Sequence, residues 1–317
     1  MTALDPVEAV AAAASGEGPV PSGEEVFAAV VRSFDLHRTD ATTFAGDTLP
    51  HANHRIYGGQ VFGQAIVAAG RTVAPDRFVH SAHGYFLRPG RIESPLTFAV
   101  EELRDGGSFS ARRTHALQDG VPILSLIASF QTEQDGVTHA VAAPPDVPGP
   151  ECLPSSDALF RSSDAIARRY LAPRTAFDVR HVEPQLFLTP DPEPRPHQAM
   201  WIRAHGELTG DAVSDRNLRA ALLVYACDQA MLEPVLRRHD VSWSSPGLSV
   251  ASLDHATWWH RDVDVTQWLL YVQDSPAAQG GRGLGTARVY DTAGHLVASI
   301  AQEGMVRVRD RETDRTV

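Results

Sequence analysis

The sequence predicts an α+β protein made of two tandem repeats, each a long central helix wrapped by a curved antiparallel sheet. In each half, one apolar helix-like segment is followed by several segments with the apolar alternation of strands. In addition, the stretch ASLDHATWWHR at 251–261 has a weaker copy, HSAHGYFLR, at 80–88. A central histidine, aromatic residues and a final arginine recur in both copies, which indicates a duplicated domain.

The spacing of three pairs of landmarks supports the duplication. Arg261 follows Arg88 by 173 residues, Gly294 follows Gly120 by 174, and Gln302 follows Gln131 by 171. Short insertions in turns account for the small differences in offset. We therefore expect two equivalent sheets that join side by side.

The first repeat is predicted at 24–135. The segment before it, residues 1–23, shows no repeating apolar face, and we expect a disordered tail there. Helices are predicted from EEVFAAVVRSFDL and from RIYGGQVFGQAIVAAGRTVAP at 55–75, where a glycine pair opens the helix and a proline closes it. Four strand-like segments then cover 78–133 and turn at Pro-Gly and Asp-Gly-Gly sequences.

A linker rich in proline, residues 136–175, separates the repeats and carries a helix predicted over 155–170. The second repeat, residues 176–317, starts with two strand-like segments, FDVRHV and QAMWIRAH. A long helix is then predicted from LRAALLVYACDQAMLEPVL, with a break near Pro234. Strands follow again, so the order of helix and antiparallel strands occurs twice.

Composition excludes several classes of function. The net charge of −11 argues against a nonspecific nucleic-acid binder. All 28 basic residues are arginines, and the absence of lysine excludes Schiff-base enzymes, pyridoxal-phosphate enzymes and Walker-A nucleotidases. Two cysteines are too few for a disulfide framework or a cysteine-rich zinc site. Without a leader-like or membrane-spanning stretch, we expect a cytoplasmic protein with no stable membrane association.

One carboxylate is conspicuous within the second long helix. The neighbours of Asp228 at three and four positions are apolar or aromatic: Val224, Tyr225, Met231 and Leu232. Burying an unpaired carboxylate is costly, so Asp228 either has structural donors or serves chemistry. From the residues alone, both interpretations stay open.

Two neutral polar residues lie in or beside predicted strands. The Ser252 hydroxyl can donate and accept a hydrogen bond, and the Gln302 amide can hold a water or a carbonyl without adding charge. Polar residues in strands are more often structural than catalytic. The residues alone therefore favour a structural role for both.

Other motifs predict neither a cofactor nor a metal. GGRGLGT at 280–286 resembles a phosphate-binding loop, but strand-like residues follow it, so a turn is predicted. His80 and His83 should point to opposite faces of a strand, and the same alternation separates the two histidines of 251–261. The sequence also has no GxSxG nucleophile motif. We interpret the histidines and tryptophans of 251–261 mainly as scaffold.

Long motifs resemble one known family. RIYGGQVFGQAIVAA, HSAHGYFLRPG, LRDGGSFSARR, ASFQ, VYACDQAML, ASLDHATWWHR, WLLY and LVASIAQEG together resemble the type II acyl-CoA thioesterases. The resemblance covers roughly residues 25–310 and implies the double hotdog fold of that family.

The resemblance also implies a site. Family members hydrolyse acyl-CoA thioesters with a water held by an Asp, a Thr or Ser, and a Gln, and these motif positions are Asp228, Ser252 and Gln302 here. Serine stands where many members have threonine, which keeps the hydroxyl and removes a methyl group. Gly58 and Gly59, at a predicted helix start, are implied as backbone N–H donors to the thioester carbonyl.

The implied function is hydrolysis of fatty acyl-CoA to free fatty acid and CoA without a cofactor. Two alternatives are a hotdog enoyl-CoA hydratase and a hotdog protein that binds acyl-CoA or acyl carrier protein without turnover. We expect acyl-CoA as the partner molecule and a homodimer or larger homo-oligomer. The arginines considered for the CoA phosphates are Arg88, Arg112 and Arg261, with Arg104, Arg113 and Arg282 also possible.

Overall fold

The structure is a computed structural model that describes residues 5–16, 18–51, 54–162 and 175–308. In these residues the α-helices are α1 (Pro6–Ser15), α2 (Gly23–Ser33), α3 (Gly58–Gly70), α4 (Asp157–Arg161), α5 (Arg216–Asp228) and α6 (Glu233–Arg238). The strands of the first repeat are β1 (His37–Asp40), β2 (Thr43–Gly46), β3 (Phe78–Phe86), β4 (Leu96–Asp105), β5 (Phe109–Gln118) and β6 (Val121–Gln131). Those of the second repeat are β7 (Phe177–His181), β8 (His197–Ala204), β9 (Leu248–Ser252), β10 (Asp254–Trp259), β11 (Leu269–Gln279), β12 (Arg282–Tyr290) and β13 (Leu296–Val308).

These strands form one antiparallel sheet. Its order is β1-β2-β4-β5-β6-β3-β10-β13-β12-β11-β8-β7, and β9 pairs with the far end of β13. The first six strands in this order belong to the first repeat and the last six to the second, so β3 and β10 join the two halves. Asp254 pairs with Tyr85 and Trp258 pairs with Ser81 across the junction. The expected side-by-side joining of two equivalent sheets is confirmed.

The central helices, α3 and α5, pack against each other on the inner face of the sheet. Small residues allow the close approach. A Cβ on Gly59 would lie 3.0 Å from Tyr225 Cα, and a Cβ on Gly63 would lie 3.0 Å from the Ala221 carbonyl oxygen. The first turn of α3 therefore meets the last turn of α5, and the two helices run antiparallel.

One apolar core fills the space between these helices and the sheet. Phe62 and Leu222 from the helices pack with Leu126 and Ile300 from the strands, and all four are buried. Along β13, Ile300, Gln302 and Gly304 face this core in alternation with more exposed residues. Gln302 is thus a buried amide that is turned toward the ends of the helices.

The second central helix is shorter than predicted. α5 ends at Asp228, and Pro234 lies in the first turn of the separate helix α6. Proline cannot donate the backbone hydrogen bond of a helix interior, but it fits a first turn well. The Asp228 carboxylate is therefore placed at a helix end, where it reaches beyond the helix.

The beginning of the chain differs from the expectation. Residues 6–15 form α1, and Val10 and Ala13 are buried in the main core, so the disordered tail predicted for 1–23 is wrong for this segment. Only Val7 and Val10 of its apolar stripe are larger than alanine, so the stripe does not stand out among the alanines around it. Strands β1 and β2 were also not predicted, because four residues carry little alternation.

The linker is described only in part. The helix predicted over 155–170 is present as α4 to Arg161, while residues 163–170 of that prediction lie outside the described residues. The domain boundaries at 24–135, 136–175 and 176–317 stay predictions. Among the helices of the described ranges, none is long and apolar enough to cross a membrane.

Candidate active site

Three polar side chains from separate elements meet at one end of the central helices. Asp228 ends α5, Ser252 ends β9, and Gln302 lies within β13. The Gln302 Nε2 group donates to Asp228 Oδ1 over 2.9 Å and to Ser252 Oγ over 2.8 Å. Ser252 pairs with Gly304 between β9 and β13, which brings the serine to the inward face on which Gln302 lies. The structure thus brings together the three residues that the sequence motifs indicated, and we call them the trio.

The other oxygen of Asp228 is held by the first repeat. The Gly59 N–H, in the first turn of α3, donates to Asp228 Oδ2 over 2.7 Å. N–H groups in a first helical turn have no intrahelical acceptor, and the helix dipole favours an anion there. The carboxylate from one repeat therefore supplies the acceptor that the helix start of the other repeat lacks.

Burial raises the pKa of Asp228 above its usual range, because the charged carboxylate is poorly solvated at this position. The hydrogen bonds that Asp228 accepts from Gln302, Gly59 and Ser252 act in the opposite direction. A raised pKa makes the carboxylate a stronger proton acceptor than an exposed aspartate. Asp228 is therefore suited to act as a general base.

A histidine that we interpreted as scaffold adjoins the trio. His255 Nδ1 lies 2.6 Å from Gln302 Oε1, and His255 Nε2 lies 2.9 Å from Thr257 Oγ1. Both β10 residues are buried, and the His255 ring packs edge-on against Phe62 of α3. Strand alternation indicates that His255 and Thr257 share a face, but only the pairing of β10 with β13 brings that face to Gln302.

A cavity of about 560 Å³ opens beside Asp228 and Ser252. We call it the trio cavity. Apolar side chains from both repeats line it, among them Ile56, Val61, Phe86, Ile123 and Trp243. Gly58 and the basic residues His51, Arg55 and Arg88 also line it. The cavity thus offers an apolar wall and basic groups next to a carboxylate.

Two family descriptions match the chain. The acyl-CoA thioesterase N-terminal domain matches residues 47–131, and the acyl-CoA thioesterase C-terminal domain matches residues 142–306. The chain belongs to the type II acyl-CoA thioesterase family. The human protein acyl-coenzyme A thioesterase 8 is 32% identical over 309 residues, which covers 94% of this chain and 95% of the human protein.

Solved structures lead to the same family and to its fold. The crystal structure of an acyl-CoA thioesterase II from Mycobacterium marinum is 37% identical and has a TM-score of 0.71, covering 89% of this chain and 99% of that one. A protein of unknown function with the hot dog fold from Alicyclobacillus acidocaldarius is 18% identical with a TM-score of 0.69, and it covers 89% of this chain and 99% of its own. The second likeness concerns the fold alone. The predicted family and double hotdog fold are confirmed.

The two glycines implied by the thioesterase resemblance occupy different places. Gly58 lines the trio cavity, and a Cβ on it would lie 2.9 Å from Asp228 Oδ2. Gly59 uses its N–H to donate to Asp228, so this N–H does not face a substrate. The role of Gly59 as a donor to the thioester carbonyl is therefore wrong, while that of Gly58 stays a prediction.

Arg112 is not available to the CoA phosphates. Its side chain is buried and donates to both carboxylate oxygens of Asp105 over 3.0 Å and to Thr72 Oγ1 over 2.9 Å. Its position on β5 turns it inward, which the sequence pattern did not distinguish from outward. The expectation that Arg112 contacts substrate is wrong.

The remaining arginine candidates separate by position. Arg88 lines the trio cavity, whereas Arg261 lies beyond the opposite end of β10 from Ser252 and lines a second cavity. The structure therefore does not bring Arg261 to the trio. The three other candidates do not line the trio cavity either: Arg104, Arg113 and Arg282. Arg55 does line it, and nothing in the sequence pattern distinguished it from other exposed arginines.

In the first repeat, the position that corresponds to Asp228 has no carboxylate. Both α3 and α5 have 13 residues, so Gly70, the last residue of α3, corresponds to Asp228. A Cβ on Gly70 would lie 3.1 Å from Asn217 Nδ2 near the start of α5, in the way that Asp228 lies against Gly59. The duplicated fold thus has two equivalent helix-end positions, and one of them carries the acid.

The pair Gln131 and Gln302 is not equivalent in three dimensions. Gln131 follows the buried Phe130 and lies on the outer face of β6, whereas Gln302 faces the core. Their offset of 171 differs by three, an odd number, from the offset of 174 between Gly120 and Gly294. An odd shift along a strand reverses the face of every side chain, so the similar offsets were misleading here.

The other singled-out motifs do not line the trio cavity. The turn predicted at 280–286 is limited to Gly280 and Gly281, which join β11 to β12 with φ of 63° and 74°, and residues 282–286 belong to β12. The prediction that His80 and His83 point to opposite faces is wrong. Both lie on the outer face, against the exposed rings of Phe109 and Trp258, because a bulge in β3 shifts the alternation.

Proposed function

We propose that this protein hydrolyses fatty acyl-CoA thioesters to the free acid and CoA by direct attack of a water molecule. The observation that carries the proposal is the Asp228 carboxylate, whose pKa is raised by burial, held beside the Ser252 hydroxyl at the wall of the trio cavity. Relatives in the same family are named acyl-CoA thioesterases, which supports this substrate class.

In the proposed reaction Asp228 is the general base. It takes a proton from water as the water oxygen bonds to the thioester carbonyl carbon, and the carbonyl electron pair moves onto oxygen. The Gly58 N–H, at the start of α3, donates to that oxygen. Collapse of the tetrahedral intermediate breaks the C–S bond, and Asp228 returns the proton to the sulfur of CoA.

The neighbouring cysteine is not a candidate nucleophile. The Cys227 thiol is buried and donates to the Val224 carbonyl oxygen over 3.4 Å, away from the trio cavity. Burial raises the pKa of this thiol well above its usual value, so it stays protonated and unreactive. The proposed reaction therefore needs no covalent acyl-enzyme.

Gln302 orients the two reacting residues. A side-chain amide has two N–H groups, and in Gln302 one donates to Asp228 and the other to Ser252. The Ser252 oxygen accepts this bond, so its own O–H is left to donate to the attacking water or to the carboxylate. The family resemblance implies that the water is held by Asp228, Ser252 and Gln302 together, and this geometry favours Ser252 over Gln302 as its hydrogen-bond donor.

The lining of the trio cavity supports a substrate with an apolar part and an anionic part. With a net charge of −11, the chain must attract the CoA phosphates through local cations, and Arg55 and Arg88 are placed to do so. The apolar side chains of Val61, Phe86 and Trp243 provide a wall for the acyl chain.

The first alternative, an enoyl-CoA hydratase, needs the acid and a histidine together on the helix side, and neither α3 nor α5 contains a histidine. His255 is 1% exposed and does not line the trio cavity, so the geometry favours hydrolysis. The second alternative, binding without turnover, has the same cavity but needs no base. An aspartate with a raised pKa at the wall of the cavity favours a catalyst.

The test is release of free thiol from acyl-CoAs of increasing chain length, compared between wild type and Asp228→Asn. We expect thiol release by wild type and a loss of about 100-fold or more in kcat for the variant, because the amide cannot accept the proton. Asp262→Asn is the matched control, since Asp262 pairs with Arg219 away from the trio. Equal turnover by Asp228→Asn contradicts the role of the acid.

Two further outcomes of this assay distinguish the alternatives. Absence of thiol from every acyl-CoA, with the intact thioester recovered bound to the protein, supports binding without turnover. Loss of the enoyl absorbance from an enoyl-CoA without thiol release supports the hydratase.

We also propose that the protein is cytoplasmic and assembles as a homodimer or larger homo-oligomer. Support for assembly comes from the outer face of the sheet, where Tyr85 and Ile127 are 62% and 45% exposed on neighbouring strands. Light scattering after gel filtration measures the mass, and a single-chain mass that persists at high concentration contradicts the assembly.

A further inference from the structure

We propose that His255 is a positioning residue that fixes the amide orientation of Gln302 and thereby aims Asp228 and Ser252. Thr257 completes the device by donating its hydroxyl hydrogen to His255 Nε2. The proposal rests on the function proposed above, in which the trio carries out hydrolysis. It assigns no contact with substrate to His255, which acts through Gln302.

The orientation of the Gln302 amide follows from its neighbours. A carboxylate accepts hydrogen bonds and offers no proton of its own, so the Gln302 atom facing Asp228 must be the nitrogen. Oε1 then faces His255 Nδ1 at 2.6 Å. The reversed amide places Oε1 against the carboxylate, where two acceptors repel each other, and it removes the donor from Ser252.

The tautomer of His255 follows from the amide. Because Gln302 Oε1 only accepts, His255 Nδ1 must carry the proton. Burial lowers the pKa of His255, so the ring is neutral and Nε2 has no proton. Nε2 therefore accepts from the Thr257 hydroxyl, which is fully buried and lies 2.9 Å away. These four residues form a hydrogen-bonded row in which each side chain donates to the next, from Thr257 to His255, then to Gln302 and finally to Asp228.

Packing explains why this row is rigid. The His255 ring lies edge-on to the Phe62 ring with centroids 5.0 Å apart, and both rings are buried. His255 and Thr257 project from the same face of β10, which pairs with β13 on one side and β3 on the other. A polar group in such a place keeps its partners, since leaving one of them unsatisfied is costly.

The kinetic experiment compares four variants of the full chain in the thiol-release assay. His255→Leu removes the donor to Gln302, and His255→Asn keeps an N–H near the position of Nδ1. Thr257→Val removes the hydroxyl that donates to His255 Nε2. His260→Leu is the matched control, because His260 bonds Ser299 on the outer face of the sheet.

We expect His255→Leu to lower kcat by about 10- to 100-fold with KM for acyl-CoA changed by less than about 3-fold. His255→Asn should recover most of the lost kcat, Thr257→Val should lose less than His255→Leu, and His260→Leu should resemble wild type. A kcat within about 2-fold of wild type for His255→Leu overturns the proposal. So does a His255→Asn variant that is folded yet as slow as His255→Leu.

A spectroscopic experiment tests the same device without activity. In protein labelled with 15N-histidine, the resonances of His255 are identified by their absence from the spectrum of His255→Asn. We expect a neutral ring with the proton on Nδ1. A proton on Nε2, or a charged ring at neutral pH, overturns the proposal even if His255→Leu fails to fold. If wild type releases no thiol, the proposed function fails, but the tautomer of His255 still tests its positioning of Gln302. The failures of the two proposals are therefore distinguishable.

Discussion

The Gly59 N–H donates to Asp228 Oδ2 over 2.7 Å, so the central helix of the first repeat holds the carboxylate presented by the second. Because the two helices are antiparallel and of equal length, a position equivalent to that of Asp228 exists at their other ends, where α3 ends beside the start of α5. There Gly70 takes the place of the acid. Duplication of one helix and sheet unit thus built a site between the repeats, with a single carboxylate that needs both of them.

Space at the start of α3 is the subject of the first prediction. A Cβ on Gly58 would lie 2.9 Å from Asp228 Oδ2 and 3.2 Å from Phe86 Cζ, and it would project into the trio cavity. We expect Gly58→Ala to lower kcat/KM by about 10- to 100-fold, because small displacements of reacting groups are costly. Gly107→Ala is the control, since a Cβ there meets nothing within 4 Å. Equal effects of the two variants contradict the prediction.

The pH dependence of catalysis is the second prediction. Burial raises the pKa of Asp228, and the hydrogen bond from Gln302 acts against that rise. Activity needs the unprotonated base, so it falls as the pH drops through this pKa. In Gln302→Leu the opposing bond is lost, so the pKa of Asp228 rises further and the acid limb of the kcat/KM profile should move to higher pH.

A matched control lies on the same strand. Ser299 is on the outer face of β13 and bonds His260, so Ser299→Ala should leave the acid limb in place. A limb that stays fixed or moves to lower pH in Gln302→Leu shows that Asp228 is not the group that titrates.

The third prediction separates two arginines at opposite ends of the strand pair β3 and β10. Arg88 lines the trio cavity and Arg261 lines the second one. We expect Arg88→Ala to raise KM for acyl-CoA by about 3- to 30-fold and to weaken its dependence on salt, because a charge facing the phosphates is lost. Arg261→Ala should change neither quantity. The reverse result places the CoA phosphates at the other end of the strands.

Acyl-chain selectivity is the fourth prediction. Trp243 lines the trio cavity, and its indole N–H donates to the buried Glu233 Oε1 over 2.8 Å, which holds the ring in place. Trp243→Ala removes this wall, so the kcat/KM profile over an acyl-CoA panel should shift toward longer or bulkier chains. Trp258→Ala, on the outer face beside His83, is the control. An unchanged profile for Trp243→Ala means that the acyl chain lies elsewhere.

The fifth prediction concerns the buried side chain of Arg112. Arg112→Met leaves Thr72 and backbone acceptors without their donor, so the free energy of unfolding should fall by about 2–3 kcal/mol. Arg113→Met breaks a partly exposed pair with Glu101 and should change it by less than about 1 kcal/mol. Urea unfolding measures both. A raised KM in folded Arg112→Met would restore Arg112 as a substrate contact.

Local patterns predicted much of this molecule. Apolar periodicity indicated both central helices and most strands, and the motifs indicated the family and fold that are now confirmed. The predictions that were wrong concern segments in which the apolar pattern is short, or strands in which one extra residue reverses the face on which a side chain lies. The stripe of α1 consists of two valines and small alanines, and the bulge in β3 turned His80 to the same face as His83.

The sequence by itself determined which chemical groups the chain carries: one acid on an apolar helix, a hydroxyl, an amide and arginines in place of lysines. Only the tertiary structure decided which of them meet. Gly59 and Asp228 are 169 residues apart, and His255 and Gln302 are 47 apart. Their contacts depend on the helix crossing and the register of β10 on β13, which arise from packing of the whole core. Because hydrogen bonds act over about 3 Å, such geometry decides function where local patterns have no information.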